Sequence, residues 1–268
     1  MLAVSSASFH HTLRQRHMAL EDVPAAVREI GFGAVEIDDA YLTAAPLQQR
    51  TFDLLMRRYF GRGAFYRTYT SSRLLGLHIA LEESGIHVAA WRSHTDFTLT
   101  GRAAHWQMNY LEGAIAAADD FGARIVCIQS GGEPGAGEEE VVRCIEGLQQ
   151  AASLAGQFHT RLALESSSGL AHSPGVMQRI LREVDIPSLA ACVEFDATSP
   201  AIAQHAIHAH ARAHTFDAQG REPHVDYTAC LSALQQAGYD GWITIQYEGQ
   251  DDPTLGIMQT AELIGAVR

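Results

Sequence analysis

Short β-rich runs alternate with longer helical stretches along the whole chain, which predicts an α/β protein. Three observations narrow this to a (β/α)8 TIM barrel in a single domain over 1–268. Eight strand–helix repeats fill the 268 residues, the size of a one-domain barrel. Several helices stop at a glycine just before the next strand, in "EIGFG", "ESGIH", "DFGAR" and "QAGYDG". Polar side chains gather at strand C-termini, where barrel sites lie. The rival, a doubly wound open sheet, calls for a glycine-rich turn after the first strand, and "SFHHTL" has none.

The first strand is "LAVSSASF" (2–9), ending at His10 and His11. The helical pattern "LEDVPAAVREIG" leads to the second strand, "AVEID" (34–38), which carries Glu36. Segment 42–73 is long for one crossover and rich in aromatics, Phe60, Phe65, Tyr66 and Tyr69. Such a surface seats a second copy, making a homodimer, or lids a site; a second packed helix is the plainer alternative. The third strand, "IHVAAWRS" (86–93), runs into His94 and Asp96. After "HWQMNYLEGAIAAADDFGA" comes "ARIVCIQS" (123–130) with Gln129, and "GGEPGAGEEE" (131–140) leads into an acidic helix start. "RLALES" (161–166) carries Glu165, and "LAACVEFD" (189–196) carries Glu194 and Asp196. "AIHAHAR" (206–212) carries His208, His210 and Arg212. The last strand, "WITIQYE" (242–248), places Trp242, Thr244, Gln246 and Glu248 on one face.

Composition excludes several classes. A formal net charge of -12 with no basic run argues against a nucleic-acid partner. Cys127, Cys144, Cys192 and Cys230 never pair as C-x-x-C, so neither a zinc cage nor a disulfide framework is expected. The N-terminus lacks the basic start and apolar core of a signal peptide, and no run approaches the ~18 apolar residues of a membrane span. A cytoplasmic enzyme with no membrane partner is the expectation.

Carboxylates, a histidine and an amide at the ends of the fifth to eighth strands are oxygen and nitrogen ligands for Mn²⁺, Mg²⁺, Co²⁺ or Zn²⁺. Glu165 as a buried salt-bridge partner and His210 as a satisfied core histidine are the structural alternatives. His208 shares the face of His210, which lies nearer the mouth.

Several segments resemble the xylose-isomerase-like barrels of the sugar isomerase and epimerase superfamily, which includes tagatose-type epimerases and inosose dehydratases. "AVEIDD" resembles the second-strand glutamate segment of that family, and "RSHTDF" its third-strand end, with Thr95 where asparagine is common. "LALESSSGLAHSP", "CVEFD", "IHAHARAHTFDAQGREPHVDY" and "GYDGWITIQYEG" resemble the later strand ends.

The resemblance implies one divalent metal held by Glu165, Glu194, His210 and Gln246. Two of the four depart from the pattern, because the family has aspartate and glutamate where this chain has Glu194 and Gln246. The family's fourth-strand arginine falls on Cys127, and its polar pair after the fifth strand on Ser166 and Ser167. A displaced set using Asp196 and Glu248 is the alternative. Because Gln246 brings no negative charge to the site, the metal is expected to be weakly held or absent. The implied chemistry is proton abstraction next to a carbonyl of a sugar or polyol, with a metal-stabilised enediolate. Glu165 and Glu248 are the expected catalytic carboxylates, and Glu36, His94 and Arg212 the expected substrate-binding groups. A carbohydrate-binding barrel or partner subunit without turnover is the alternative.

Overall fold

Every apolar run pairs with its neighbours, and the strands close on themselves. The computed structural model describes residues 1–42 and 71–267. Parallel strands pair in the order β1-β2-β3-β4-β5-β6-β7-β8, with β1 also hydrogen-bonded to β8. They are β1 (Leu2–Ser5), β2 (Ala34–Asp38), β3 (His87–Ser93), β4 (Ile125–Ile128), β5 (Arg161–Glu165), β6 (Leu189–Glu194), β7 (Ala206–Ala213) and β8 (Ile243–Tyr247). The (β/α)8 barrel expected from the sequence is thus the fold of the chain. The association expected for 42–73 rests mainly on residues 43–70, which lie outside those described.

Helices fill the crossovers: α1 (His10–Arg14), α2 (Val23–Ile30), α3 (Ser71–Ser84), α4 (Gly101–Asp120), α5 (Glu138–Gln157), α6 (Pro174–Val184), α7 (Ser199–Ile202), α8 (Tyr227–Gln236) and α9 (Pro253–Val267). Their ends follow local chemistry. Pro24 and Pro174 sit in the first turns of α2 and α6, where a missing N–H leaves no bond unmade. Three glutamates, Glu138 to Glu140, open α5 beside the positive end of its dipole. The Asp226 side chain accepts from Ala229 N at the start of α8.

Along each strand one set of side chains faces the helices and the other faces the barrel interior. Val4, Val35, Ile37, Trp91, Val126, Leu162, Leu164, Val193 and Ile245 belong to the outer core between sheet and helices. Inside, the filling is small: Ala3, Ala34 and Ala89 pack with Trp242, and Ala90, Cys127, Ala163 and Cys192 form the next cluster. Small side chains there leave room above for long polar ones. Two register shifts complete the arrangement, one at Val35/Glu36 against β3 and one at Ala191/Cys192 against β7. Past the second, Cys192 stands opposite His208 and Glu194 opposite His210, so both histidines reach the interior.

Candidate active site

The C-terminal ends of the strands carry a buried network of alternating charge. On β3, Arg92 Nε donates to Glu165 Oε1 at 2.5 Å and Nη2 to Glu165 Oε2 at 2.9 Å, a bidentate clamp from β3 to β5. Its Nη1 donates to Asp38 Oδ2 on β2 at 3.0 Å, and Gln129 Nε2 adds a bond to Glu165 Oε2 at 3.1 Å. His94 Nε2 lies 3.0 Å from Asp38 Oδ1. Burial alone would raise the Asp38 carboxyl, but His94 and Arg92 override it and hold it below its ordinary value. Burial likewise opposes charge on His94, and the Asp38 carboxylate reverses this, lifting the imidazole to about 9. Next along the chain, Asp39 is raised to about 6 by burial and by the Asp38 charge, and the Tyr110 hydroxyl donates to it.

A second part of the network joins β2, β6 and β7. His210 Nε2 is 2.7 Å from Glu36 Oε2, and its Nδ1 is 2.7 Å from Glu194 Oε1. Carboxylates only accept, so both ring nitrogens donate and the ring is an imidazolium. Burial works against that charge; Glu36 and Glu194 outweigh it and hold the His210 pKa well above the histidine range. In return Glu36 and Glu194 stay ionised below their usual range despite burial. Glu36 Oε2 also lies 3.2 Å from His208 Nε2, which Thr244 Oγ1 approaches to 2.9 Å. Nearer the solvent, Arg212 Nη2 is 3.2 Å from Glu194 Oε2, and Arg212 Nε is 3.3 Å from Glu248 Oε1. Of the expected site residues, Glu248 is 34% exposed and His94 37%, while Glu36, Glu165, Glu194, His210 and Gln246 are buried.

Of the residues expected to hold a metal, Glu194 and His210 meet, but Glu165 does not join them. Both oxygens of Glu165 are taken by Arg92, so a dication there would have to displace a guanidinium. Gln246 Oε1 is buried with no hydrogen-bond partner and so is open to a ligand, but an amide adds no negative charge. Among the described residues, three sets of histidine, cysteine and carboxylate donors lie mutually within 4.8 Å. They are Glu36, Cys127, His208 and His210; Cys192, Glu194 and His210; and Asp38, Asp39 and His94; Glu165 is in none of them. The displaced alternative fares no better at Asp196, whose Oδ1 caps its own loop through Thr198 N and Oγ1. As arranged, the expected set does not fit a divalent ion.

Sequence reasoning missed Arg92 and Asp38. Both alternate correctly with the residues it selected, Arg92 with His94 and Asp38 with Glu36, so period-two spacing carried the signal.

The profile of the family described as xylose isomerase-like TIM barrel matches residues 24–266. No curated protein matches the sequence significantly. Among solved structures, D-allulose 3-epimerase from Methylomonas sp. in complex with D-allulose superposes with a TM-score of 0.70 at 14% identity, covering 100% of this chain and 96% of that one. The probable 3-DHS dehydratase AsbF from Bacillus anthracis gives 0.68 at 14% identity over 98% of both chains. A xylose isomerase-like TIM barrel protein from Mycobacterium smegmatis in complex with magnesium gives 0.66 at 14% identity, over 92% of this chain and 89% of its own.

Proposed function

The chain belongs to the xylose isomerase-like TIM barrel family, and on that premise we propose that it binds a sugar or polyol at the barrel mouth and moves a proton on a carbon beside the carbonyl. The observation that carries this is the pairing of the half-buried Glu248 with Arg212, at 3.3 Å, above a fully buried charge network. Glu165 has both oxygens held at 2.5 and 2.9 Å by a buried arginine, whereas Glu248 meets Arg212 and His214 only at 3.3 and 3.6 Å. Of the two expected catalytic carboxylates, the half-exposed Glu248 is therefore the better placed to take a proton. It would remove the carbon-bound proton, and the electron pair would move onto the carbonyl oxygen. Glu165 is clamped by Arg92 and is not arranged to hold a divalent ion, so the developing oxyanion falls to the Arg212 guanidinium. Return of the proton to the former carbonyl carbon on the same face, with the adjacent hydroxyl proton passing to the oxyanion, gives isomerisation. Loss of a β-hydroxyl that takes the proton from Glu248 as it leaves as water gives dehydration. Gln246 cannot accept a proton, which disfavours epimerisation with a base on each face. His94 and Asp38 offer hydrogen bonds to substrate hydroxyls. The D-allulose complex and the probable dehydratase among the structural neighbours are in keeping with this substrate class and with elimination.

The test is deuterium uptake. Ketoses, D-allulose first, are incubated with the protein in D₂O and followed by NMR. Exchange at the carbon beside the carbonyl is expected, with Glu248→Gln slower by at least about 100-fold, the usual loss for a general base. The filled oxygens of Glu165 favour a second reading, a carbohydrate-binding barrel or partner subunit without turnover. Calorimetric sugar binding with no exchange in the wild type would select that reading.

A further inference from the structure

One layer below the mouth, Glu36 on β2, Cys127 on β4, and His208 and His210 on β7 converge inside the barrel, all at 0% exposure. Glu36 Oε2 lies 2.7 Å from His210 Nε2, 3.2 Å from His208 Nε2 and 3.7 Å from Cys127 Sγ. In a tetrahedral zinc site, with bonds of about 2.0–2.3 Å, neighbouring donor atoms stand roughly 3.3–3.7 Å apart. The distances from Glu36 Oε2 to His208 and Cys127 are close to that spacing, and all four donors lie within 4.8 Å of one another. The Glu36–His210 pair would open by roughly 0.6–1 Å. Two imidazoles, a thiol and a carboxylate are a borderline-soft set that suits zinc and not magnesium. The surroundings fit as well. His210 turns its other nitrogen to Glu194 Oε1 at 2.7 Å, the carboxylate–histidine arrangement that orients a metal-binding imidazole. Glu36 Oε1 is buried without a hydrogen-bond partner, so the carboxylate has an oxygen free to close on an ion.

We propose that Glu36, Cys127, His208 and His210 form a structural zinc site that ties β2, β4 and β7 together beneath the mouth. It shares only His210 with the set expected from family resemblance. Four protein ligands leave no open position, so the ion would brace the barrel and not meet substrate. Carboxylate and thiolate together neutralise the dication, the thiol proton and the Nε2 proton of the His210 imidazolium both leaving to solvent on binding. Because the site is closed to solvent, the ion would enter as the chain folds. The proposal is independent of the activity suggested for the mouth.

The experiment produces the full chain in minimal medium supplied with zinc or, separately, cobalt, then measures bound metal by mass spectrometry after desalting. About one equivalent of zinc is expected, with a thermal unfolding midpoint above that of chelator-refolded protein. The cobalt form should show a thiolate-to-cobalt charge-transfer band. Losing even a supporting group around a metal typically weakens it 10–100-fold, so Cys127→Ser should cost at least about 100-fold in affinity and abolish the band. Glu165→Gln and Cys192→Ser should leave both intact. X-ray absorption of the wild-type zinc protein gives a readout that needs no variant and should find one sulfur among four ligands. Substoichiometric metal in both media would overturn the proposal. So would a shell without sulfur, or retention in Cys127→Ser with loss in Glu165→Gln, which would move the ion to the mouth.

Discussion

At the scale of the residue, Arg92 is 8% exposed and holds Glu165 and Asp38 at once, so removing it strands two carboxylates in a dry interior. Arg92→Met is therefore expected to destabilise by about 3–5 kcal/mol in denaturant titrations, the usual effect of breaking a buried ion pair. The double variant Arg92→Met/Glu165→Leu should recover much of that loss, because it takes out the charge left unpaired along with its partner. His94 supplies a pH dependence of definite sign. Its folded-state pKa of about 9 exceeds the ordinary 6.5, so the folded state binds the extra proton in that window. The stability it adds is complete below about pH 6.5 and is lost as pH rises through 9. An NMR titration should place the imidazole midpoint near 9, and Asp38→Asn should bring it down. A midpoint that stays near 9 in that variant would show that Asp38 is not the cause. Why Arg92 and Asp38 escaped notice has a physical basis. An arginine in mid-strand reads as an outlier until its partners are known, and those partners lie 73 and 54 residues away in sequence.

At the scale of the element, the strand candidates were legible because a fully buried parallel sheet needs near-continuous apolar runs. Their ends were not. The run 2–9 extends only over Leu2–Ser5, because the Ser5 side chain accepts from Ala7 N and winds the next residues into a 3₁₀ turn. The run 123–130 shortens to Ile125–Ile128. Periodicity cannot register such a turn, since it depends on one hydroxyl finding one amide. The loop after β4 shows how closely the mouth is built. Gly131 has φ +72°, and a Cβ there would sit 2.5 Å from Asp96 Cα. Left-handed strain and overpacking add, so Gly131→Ala should cost about 2–5 kcal/mol. Gly175, in the first turn of α6 with open space around it, is the control, where alanine should be neutral or stabilising by up to about 1 kcal/mol. Equal effects at the two sites in thermal melts would refute the packing account.

At the scale of the whole molecule, the barrel and its family were readable from strand–helix alternation and strand-end motifs, while the donor sets were not. Which side chains meet inside depends on register shifts such as that at Ala191/Cys192, and those appear only once strands are paired. The pairing that closes the barrel also bears on how the chain is made. Leu2 stands opposite Ile243 and Val4 opposite Ile245, so the second neighbour of β1 is translated after all the other strands of the barrel. Until it emerges from the ribosome, the growing sheet is an open crescent with two raw edges, each able to capture another strand. Glu36 likewise waits for His210 through most of synthesis, holding a charge that has no partner and no burial yet. The nascent barrel is therefore most exposed to mispairing in the seconds before β8 is made, when seven strands exist and none of them is sealed.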